Sequence, residues 1–414
     1  MRAYTFFSAA LVTLISASLW TACSADNGDN AFGDGGAGGD GAGSGTGTGG
    51  DLGFTSTSGS GGGILQHEPA CEGDHSNTDS DGDGYTGAQG DCNDCTPQMN
   101  PGAYDYAGNN IDEDCNGAPD DTPLNCDGAI ALDAPDPMDG ARAMGLCKQS
   151  VGEGWGVVSA AWVRSDGQPL APPLDIGKGV LNGFGPNVKP QEGSKLLALS
   201  SGSARQPSDP GYSSVGGFWK DFNPHGPAPG YPKESPSCPG VITGEPYDSA
   251  GLRVDIKAPT NAKSFHFNLD FYTYEFPGYI CSTFNDYFVA LLTPMPANQT
   301  DGNISFDSQG NTLSVNAGFL EVCSPQMAGG KNFPCVLGPS ELTGTGYDEQ
   351  VGGSAATGWL QTSSPVVEPG GTISLHFAIW DSGDGILDST VLLDNFTFDV
   401  DETATETTPI PDPK

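Results

Sequence analysis

Polar and apolar residues alternate along two stretches in the C-terminal half of the chain. Residues 264–271 read Ser-Phe-His-Phe-Asn-Leu-Asp-Phe, and the same pattern runs through residues 372–380. Alternation with a period of two places successive side chains on opposite faces of an extended chain, so both stretches are predicted to be half-buried β-strands. Further strands are predicted at 155–163, 196–199, 287–292, 303–306, 312–315, 319–322 and 390–400.

Helical periodicity is almost absent from this region. One short helix is predicted at 137–148, where apolar residues recur at roughly helical spacing although two glycines interrupt the pattern. Many strands without intervening helices are typical of an antiparallel β-sandwich. We therefore predict a mostly β chain whose main domain, residues 122–400, is a jelly-roll-like antiparallel β-sandwich. A tail at 401–414, rich in Thr, Glu and Pro, is predicted to be disordered.

The N-terminal segments are typical of an exported and tethered protein. Residues 1–22 combine a positive charge at Arg2 with an apolar run, as in a signal peptide. Small residues before Cys23 resemble the bacterial lipobox, whose cysteine is lipidated after cleavage. Ordinary cleavage after Ser24 or Ala25 is the alternative, and an uncleaved membrane helix is a third. Residues 23–66 are mainly Gly, Ser, Thr and Asp, and form a predicted flexible tether with a reach of about 35–40 Å.

Composition narrows the partners of the chain. Its 414 residues include 62 glycines and 33 prolines, which suit strands, turns and linkers. The 15 Lys and Arg residues against 52 Asp and Glu residues give a formal net charge of −37. Such a charge disfavours nucleic acids and anionic membrane surfaces. Divalent cations are the favoured partners, because clustered carboxylates repel one another without them.

Two short segments have the residue pattern of cation-binding loops. Residues 79–85 read Asp-Ser-Asp-Gly-Asp-Gly-Tyr, and a weaker copy lies at 112–117, with Asp120 at its ninth position. Ca²⁺-binding loops supply oxygen ligands at positions 1, 3 and 5 and a glycine at position 6. The predicted metal ligands are Asp79, Asp81, Asp83, Tyr85, Asp91, Asp94, Asp112, Asp114, Asn116 and Asp120.

The region that holds these loops, residues 67–121, has too few aliphatic residues for a hydrophobic core. Disulfides and bound cations are the usual substitutes in small modules. The chain has eleven cysteines, and setting Cys23 aside leaves ten. Zinc or redox chemistry at Cys92 and Cys95 is disfavoured, because no second pair of ligands accompanies them. The disulfide candidates are Cys71, Cys92, Cys95, Cys115, Cys126, Cys147, Cys238, Cys281, Cys323 and Cys335.

The stretch 79–117 resembles the metal-binding repeat of the MopE type found in bacterial surface proteins, through its segments 81–85, 90–94, 100–103 and 110–117. The first loop also resembles the calcium-filled aspartate loops of thrombospondin type 3 repeats. It differs from an EF-hand because it lacks flanking helices and carries Gly90 where a bidentate Glu would close the loop, which leaves Asp91 or Asp94 for closure. Oxygen ligands favour Ca²⁺ and disfavour copper, with which the repeat family is associated by name.

The larger region resembles the choice-of-anchor L domain, a β-rich extracellular module of bacterial proteins. The resemblance rests mainly on residues 271–277, 284–288, 303–306 and 378–391, and it implies a fold without implying an activity. A further metal site is predicted within it, although turn and backbone hydrogen bonds are an alternative role for the same side chains. The candidates are Glu275, Asp286, Asp381, Asp384 and Asp388.

No sequence motif for catalysis accompanies these sites. The chain contains no His-Glu-x-x-His, Gly-x-Ser-x-Gly or P-loop pattern. His266 and His376 lie at polar positions of predicted strands, so solvent-facing or hydrogen-bonded roles are expected. The aromatic residues are expected to fill the core, with a sugar-binding face as the alternative. They are Trp155, Trp162, Trp219, Tyr272, Tyr274 and Trp380.

We therefore predict a non-catalytic calcium-binding lipoprotein of the outer membrane or cell surface that acts in adhesion or ligand binding. Its expected partners are the lipid membrane through the N-terminal anchor and an extracellular glycan or protein, with no nucleic acid. Secretion without an anchor is the alternative location. The alternative functions are a secreted hydrolase with its active site in the sandwich loops and a surface scavenger of copper.

Overall fold

The computed structural model describes residues 76–121, 125–297, 299–350 and 353–410. All of them belong to one compact unit that spans Gly61–Lys414. The predictions for the signal peptide, Cys23, the tether and Cys71 fall outside the described residues, as do positions 411–414.

The described residues form a mostly β structure with one α-helix. The strands are β1 Gly156–Val163, β2 Lys178–Leu181, β3 Leu196–Ser200, β4 Pro246–Lys257, β5 Ser264–Thr273, β6 Tyr287–Thr293, β7 Leu313–Ser314, β8 Gln326–Ala328, β9 Lys331–Phe333, β10 Ala355–Ala356, β11 Leu360–Pro365, β12 Thr372–Ser382, β13 Ser389–Asp399 and β14 Glu406–Pro409. The helix α1 spans Pro137–Arg142, and 3₁₀ turns lie at Gly87–Gln89, Leu174–Gly177 and Ser340–Leu342. None of the helices in the described ranges has the length and apolar character that crossing a membrane requires.

Two antiparallel sheets make up the body of the molecule. One has the strand order β1-β4-β12-β6-β7, and the other has the order β14-β11-β5-β13-β3-β2 with β10 paired to β5. The short strands β8 and β9 form a separate hairpin. The prediction of a mostly β chain with an antiparallel β-sandwich is confirmed.

The sheets pack face to face around a hydrophobic core. Phe267 of β5 meets Phe377 of β12 across the interface, with ring centroids 5.1 Å apart. Leu375 and Ile379 are buried on the same face of β12 as Phe377, with the period of two that the sequence predicts. The outer face of β5 is also covered, because Tyr272 packs there against Phe184 in a second cluster of buried residues.

Several element predictions differ from the structure. Residues 303–306 and 319–322 form only isolated bridges, at Asn303, Phe306 and Val322, and no continuous strand. Strand β4 has no clear alternation over its first half, since residues 248–252 are continuously buried. The helix predicted at 137–148 ends at Arg142, ahead of Gly145, whose φ of 91° interrupts helical geometry.

The disorder predicted for residues 401–414 is wrong for Glu406–Pro409. These residues pair with β11 as strand β14 at the edge of the larger sheet. Thr407 is buried there, and its Oγ1 lies 2.9 Å from Thr362 Oγ1. A polar sequence can therefore be ordered by pairing with an exposed sheet edge, which composition alone does not reveal.

Disulfide bonds lie both in the loop region and in the sandwich that follows it. The observed bonds are Cys92–Cys115, Cys126–Cys147, Cys238–Cys281 and Cys323–Cys335. Cys95 is also disulfide-bonded. Cys92 pairs with Cys115 and not with Cys95, which agrees with the expectation that the Cys-x-x-Cys segment is structural.

Candidate metal centres and binding cleft

The first predicted loop folds around its own carboxylates. The N–H groups of Gly82 and Gly84 donate to Asp79 Oδ1 and Oδ2 at 2.7 and 3.2 Å. Both glycines have positive φ, 83° and 98°, which lets the chain turn tightly around this side chain. The N–H of Asp83 donates to Asp81 Oδ1 at 3.2 Å. The backbone thus holds alternate carboxylates on one side of the loop.

Two overlapping groups of these carboxylates are close enough to share a cation. One oxygen each from Asp79, Asp81 and Asp83 lie within 4.8 Å of one another, and so do one oxygen each from Asp81, Asp91 and Asp94. Asp81 Oδ2 and Asp91 Oδ2 are buried, and neither has a hydrogen-bond partner among the described residues. The structure therefore brings the predicted closing residues Asp91 and Asp94 to the predicted loop.

Electrostatics of the loop reflect the crowding of negative charge. Burial raises the pKa of Asp83 to about 6, and the charges of Asp81 and Asp91 act in the same direction. Burial also raises the pKa of Asp81 and of Asp91. A divalent cation would relieve this repulsion, and oxygen-only ligands are the set that Ca²⁺ prefers.

The loop is fixed to the sandwich by a few direct contacts. The Tyr85 hydroxyl donates to the carbonyl of Glu153 at 3.0 Å. The Thr260 hydroxyl, in the turn between β4 and β5, donates to Asn100 Oδ1 at 2.9 Å. A few residues on, the N–H of Tyr104 donates to Asn261 Oδ1 at 2.7 Å. A displacement of the metal loop would therefore strain direct hydrogen bonds to the sandwich.

The second predicted loop is arranged differently from the first. Asp112 accepts from the N–H groups of Asn116 and Gly117, at 3.0 and 2.8 Å, and so closes a turn. Asp120 accepts from the N–H groups of residues 108–110, at 2.9 to 3.1 Å. The carboxylates of Asp112 and Asp120 thus accept hydrogen bonds from the backbone. Among the described residues, neither belongs to a group of three carboxylates close enough to share a cation.

A third close group forms around Asp114 instead. One oxygen each from Asp105, Asp114 and Asp121 lie within 4.8 Å of one another. The N–H of Asp121 donates to Asp105 Oδ2 at 3.0 Å, while Asn116 Nδ2 donates to Asp121 Oδ2 at 2.9 Å. Sequence reasoning missed Asp105 and Asp121, because loop spacing selects Asp120 and contains no signal for a residue before the loop.

This group borders a cleft of about 380 Å³ between the loop region and the sandwich. Its wall is aromatic: Trp155 packs edge-on against Tyr104 and Phe398, with ring centroids 5.5 and 5.9 Å away. Lys148 lies over Trp155 at 4.5 Å from the ring centroid, and its ammonium donates to Asp114 Oδ2 at 3.3 Å. The cleft therefore combines an apolar wall, carboxylates and one cation.

Asp105 of this group is also close to the carboxyl of Glu113. Burial raises the pKa of Glu113 to about 7, and the neighbouring Asp105 carboxyl adds to the effect. Burial also raises the pKa of Asp105. Two buried, adjacent carboxylates repel each other when both are ionised. A proton or a cation near Asp105 and Glu113 is therefore favoured.

The remaining predicted ligands lie at one end of the sandwich. Glu275 follows β5, Asp286 precedes β6, Asp381 is the penultimate residue of β12 and Asp388 precedes β13. All four side chains are almost fully buried, at 0 to 2% exposure. Asp384 is more exposed, and its Oδ1 accepts from the N–H of Ile386 at 3.1 Å.

His266 and His376 are hydrogen-bonded, as expected for polar positions of strands, and two of the aromatic residues fill the core. His376 hydrogen-bonds to the carbonyl of Arg164 at 3.0 Å, and His266 Nδ1 lies 2.7 Å from Asp399 Oδ2. Trp380 and Tyr272 are buried in the core. Trp155 is the exception that matters, because its partly buried ring also lines the cleft.

Comparisons with known proteins provide no family for the chain. No family model matches it, and no curated protein does. A solved structure, the K2 cleaved adhesin domain of Lys-gingipain, matches with 12% sequence identity and a TM-score of 0.22, over 58% of this chain and 88% of that one. A TM-score this low carries no argument about fold or function.

Proposed function

We propose that this chain is a non-catalytic, calcium-binding surface protein whose sandwich carries a saccharide-binding cleft. The observation that carries the proposal is the cleft of about 380 Å³ in which an aromatic wall faces three mutually close carboxylates. Its volume lies within the range of about 300–1,000 Å³ that is usual for small-ligand sites.

The chemistry of the cleft suits a sugar. Aromatic rings such as Trp155 and Tyr104 can pack on the apolar face of a pyranose, while carboxylates accept hydrogen bonds from its hydroxyls. A Ca²⁺ ion on Asp105, Asp114 and Asp121 would supply a further ligand position for sugar oxygens.

The metal loop at Asp79 has a structural role in this proposal. Its carboxylates lie beside the contacts of Tyr85 and Asn100 to the sandwich, so calcium would fix the region that forms one side of the cleft. The affinities of extracellular calcium modules, in the range of about 10⁻⁴ to 10⁻³ M, suffice for that role. Oxygen ligands support Ca²⁺ over copper.

The location belongs to the same proposal. Export through residues 1–22, lipidation at Cys23 and the tether at 23–66 would place the sandwich outside the cell, held to the outer membrane. Replacement of Cys23 by Ser should release the protein from the membrane fraction, whereas a secreted protein would never be found there. The resemblances to the MopE-type repeat and the choice-of-anchor L domain support this placement.

A glycan array probed with the purified protein, in calcium and in EDTA, tests the proposal. We expect calcium-dependent binding that Trp155→Ala weakens by at least about tenfold, or about 1.4 kcal/mol. Phe222→Ala is the matched control, because Phe222 is 70% exposed and does not line the cleft. Hydrolysis of a bound glycan would favour the hydrolase alternative, and preference for copper over calcium would favour the scavenger.

A further inference from the structure

We infer that a second cavity, of about 340 Å³, is a binding site for a small ligand that carries a carboxylate beside several hydroxyl groups, as a uronic acid does. The cavity shares no lining residue with the cleft, and its volume also lies within the range of about 300–1,000 Å³ that is usual for small-ligand sites. The inference goes beyond the proposed function, and it requires neither the cleft nor calcium.

Two disulfides hold the walls of this cavity. Ser237 and Pro334 line it, and each directly precedes a cysteine of the Cys238–Cys281 or the Cys323–Cys335 bond. Lys331 lines it from β9, in the hairpin that lies between the two cysteines of the second bond. A site with cross-linked walls is largely formed before the ligand arrives, so little ordering cost opposes binding.

Lys331 supplies a positive charge that no carboxylate neutralises at close range. Its ammonium donates to the carbonyl of Asn316 at 3.4 Å and lies 4.0 Å from Cys238 Sγ. Among the described residues, three other lysines form ion pairs with carboxylates, whereas Lys331 forms none. Burial accordingly lowers the pKa of Lys331. A ligand carboxylate would provide the missing counter-charge.

The carboxylate of Asp307 does not fill this need. Its charge acts on Lys331, but both of its oxygens already accept hydrogen bonds. Oδ1 accepts from the N–H groups of Gln309 and Asn311, both at 2.9 Å. Oδ2 accepts from the N–H of Gly318 and from Asn311 Nδ2, both at 2.8 Å. Asp307 therefore holds the neighbouring turn, and it could move to the ammonium only by breaking these bonds.

A buried amide donor lies beside this ammonium. Asn316 is 3% exposed and lines the cavity. Its Oδ1 accepts from the N–H of Cys281 at 2.7 Å, which fixes the orientation of the amide. Among the described residues, Asn316 bonds through Oδ1, its backbone N–H and its carbonyl, which leaves Nδ2 without a partner. Because buried polar groups are nearly always paired, this donor and the ammonium together indicate an anionic ligand group.

The rest of the lining disfavours a bare anion and favours hydroxyl groups. Glu321 lines the cavity, and its Oε2 accepts from the N–H of Val336 at 3.1 Å, which leaves Oε1 for a ligand. This negative charge would repel sulfate or phosphate, whereas it accepts well from a hydroxyl. Ser237 Oγ donates to Gln309 Oε1 at 3.1 Å, which leaves the Nε2 group of Gln309 as a further donor. A hydroxylated carboxylate matches both kinds of group.

Ligand-observed NMR titrations of the full-length protein in EDTA, with glucuronate and with glucose, test the inference. We expect glucuronate to bind at least about tenfold more tightly, because glucose is the same sugar with a neutral group in place of the carboxylate. Equal affinities for the two sugars would overturn the inference, whatever the glycan array shows for the cleft. Glucuronate binding that requires calcium would belong to the cleft and would equally overturn it.

Two variants locate the binding. Lys331→Met removes the ammonium and should weaken glucuronate binding by at least about tenfold. Asn316→Asp keeps an acceptor for the Cys281 N–H but replaces the free donor with a negative oxygen, so it should have the same effect if Lys331→Met fails to fold. Lys263→Met is the matched control, because Lys263 is exposed and does not line the cavity. Unchanged affinity in a folded Lys331→Met or Asn316→Asp variant would rule out the site.

Discussion

Asn100 Nδ2 donates a hydrogen bond to Asp83 Oδ2 at 2.8 Å. The other end of the same amide accepts from the Thr260 hydroxyl at 2.9 Å, in the turn between β4 and β5. One buried side chain therefore contacts both the candidate calcium loop and the sandwich. Asn100 therefore links the orientation of the Asp83 carboxylate to the turn between β4 and β5.

Replacement of Asn100 by Ala should weaken calcium binding at the Asp79 loop. Hydrogen bonds to charged groups contribute about 1.5–3 kcal/mol, so we expect a loss of about tenfold or more in affinity. Isothermal titration measures the loss. Asn77→Ala is the control, since Asn77 is exposed and, among the described residues, its side chain bonds to the adjacent Ser76. Equal effects of the two substitutions would argue against a coupling role for Asn100.

Calcium affinity of the loop should fall in mild acid. The pKa of Asp83 is raised to about 6 by burial, and the carboxylate must lose its proton to bind the ion. The affinity of the loop for Ca²⁺ should therefore be close to its maximum near pH 7 and about tenfold weaker at pH 5. Titrations at several pH values test this, and a constant affinity down to pH 5 would contradict it.

Without calcium, the same pKa has the opposite effect on folding. The folded state keeps a proton on Asp83 that the unfolded chain loses near its ordinary pKa of 3.8. The free energy of unfolding contributed by this group should thus fall as the pH rises from about 4 to about 6. Asp83→Asn should remove this part of the pH dependence in chelator, as measured by denaturant unfolding.

Removal of the Cys92–Cys115 disulfide should weaken both stability and calcium binding. The bond closes a segment of 23 residues, for which chain entropy predicts a loss of about 3 kcal/mol. Asp91 directly precedes Cys92 and belongs to the close group with Asp81 and Asp94, so this carboxylate would also lose a constraint. The control is Cys323–Cys335, whose loss should lower stability without changing calcium affinity.

The sequence predicts what is local and misses what the fold assembles. The candidate ligands at 79, 81 and 83 alternate within one short segment, so their spacing alone indicates the first loop. Asp105 and Asp121 are brought together by a backbone contact, the N–H of Asp121 to Asp105 Oδ2, that no spacing rule contains. For the same reason Asp120 looked like a ligand, although its oxygens accept from the backbone of residues 108–110.

The same contrast holds for the strands. The first half of β12 alternates between buried and more exposed residues because one of its faces is buried in the core, and this pattern is visible in the sequence. β4 lies between β1 and β12 in its sheet, and the first half of β4 is buried on both faces, so alternation disappears there. β14 is ordered only by its neighbour β11. These features depend on tertiary contacts that local pattern cannot report.

The docking of the loop region on the sandwich can be tested at Gly102. A Cβ at this position would lie 2.5 Å from the Tyr85 hydroxyl and 3.1 Å from Thr260 Cγ2, so the contact leaves no room for a side chain. Gly102→Ala should destabilise the protein by about 1–3 kcal/mol, the usual cost of overpacking. Calorimetry of the calcium-loaded protein measures the change.

Tyr85→Phe and Gly102→Ala together form a double-mutant cycle. Alone, it should cost about 1 kcal/mol, because the hydrogen bond to the Glu153 carbonyl is lost. Combined with Gly102→Ala it should cost less than the sum, since the oxygen that the new methyl group would meet is absent. A positive coupling of this kind is expected only for groups in contact. Strict additivity would mean that the Tyr85 hydroxyl does not pack against Gly102.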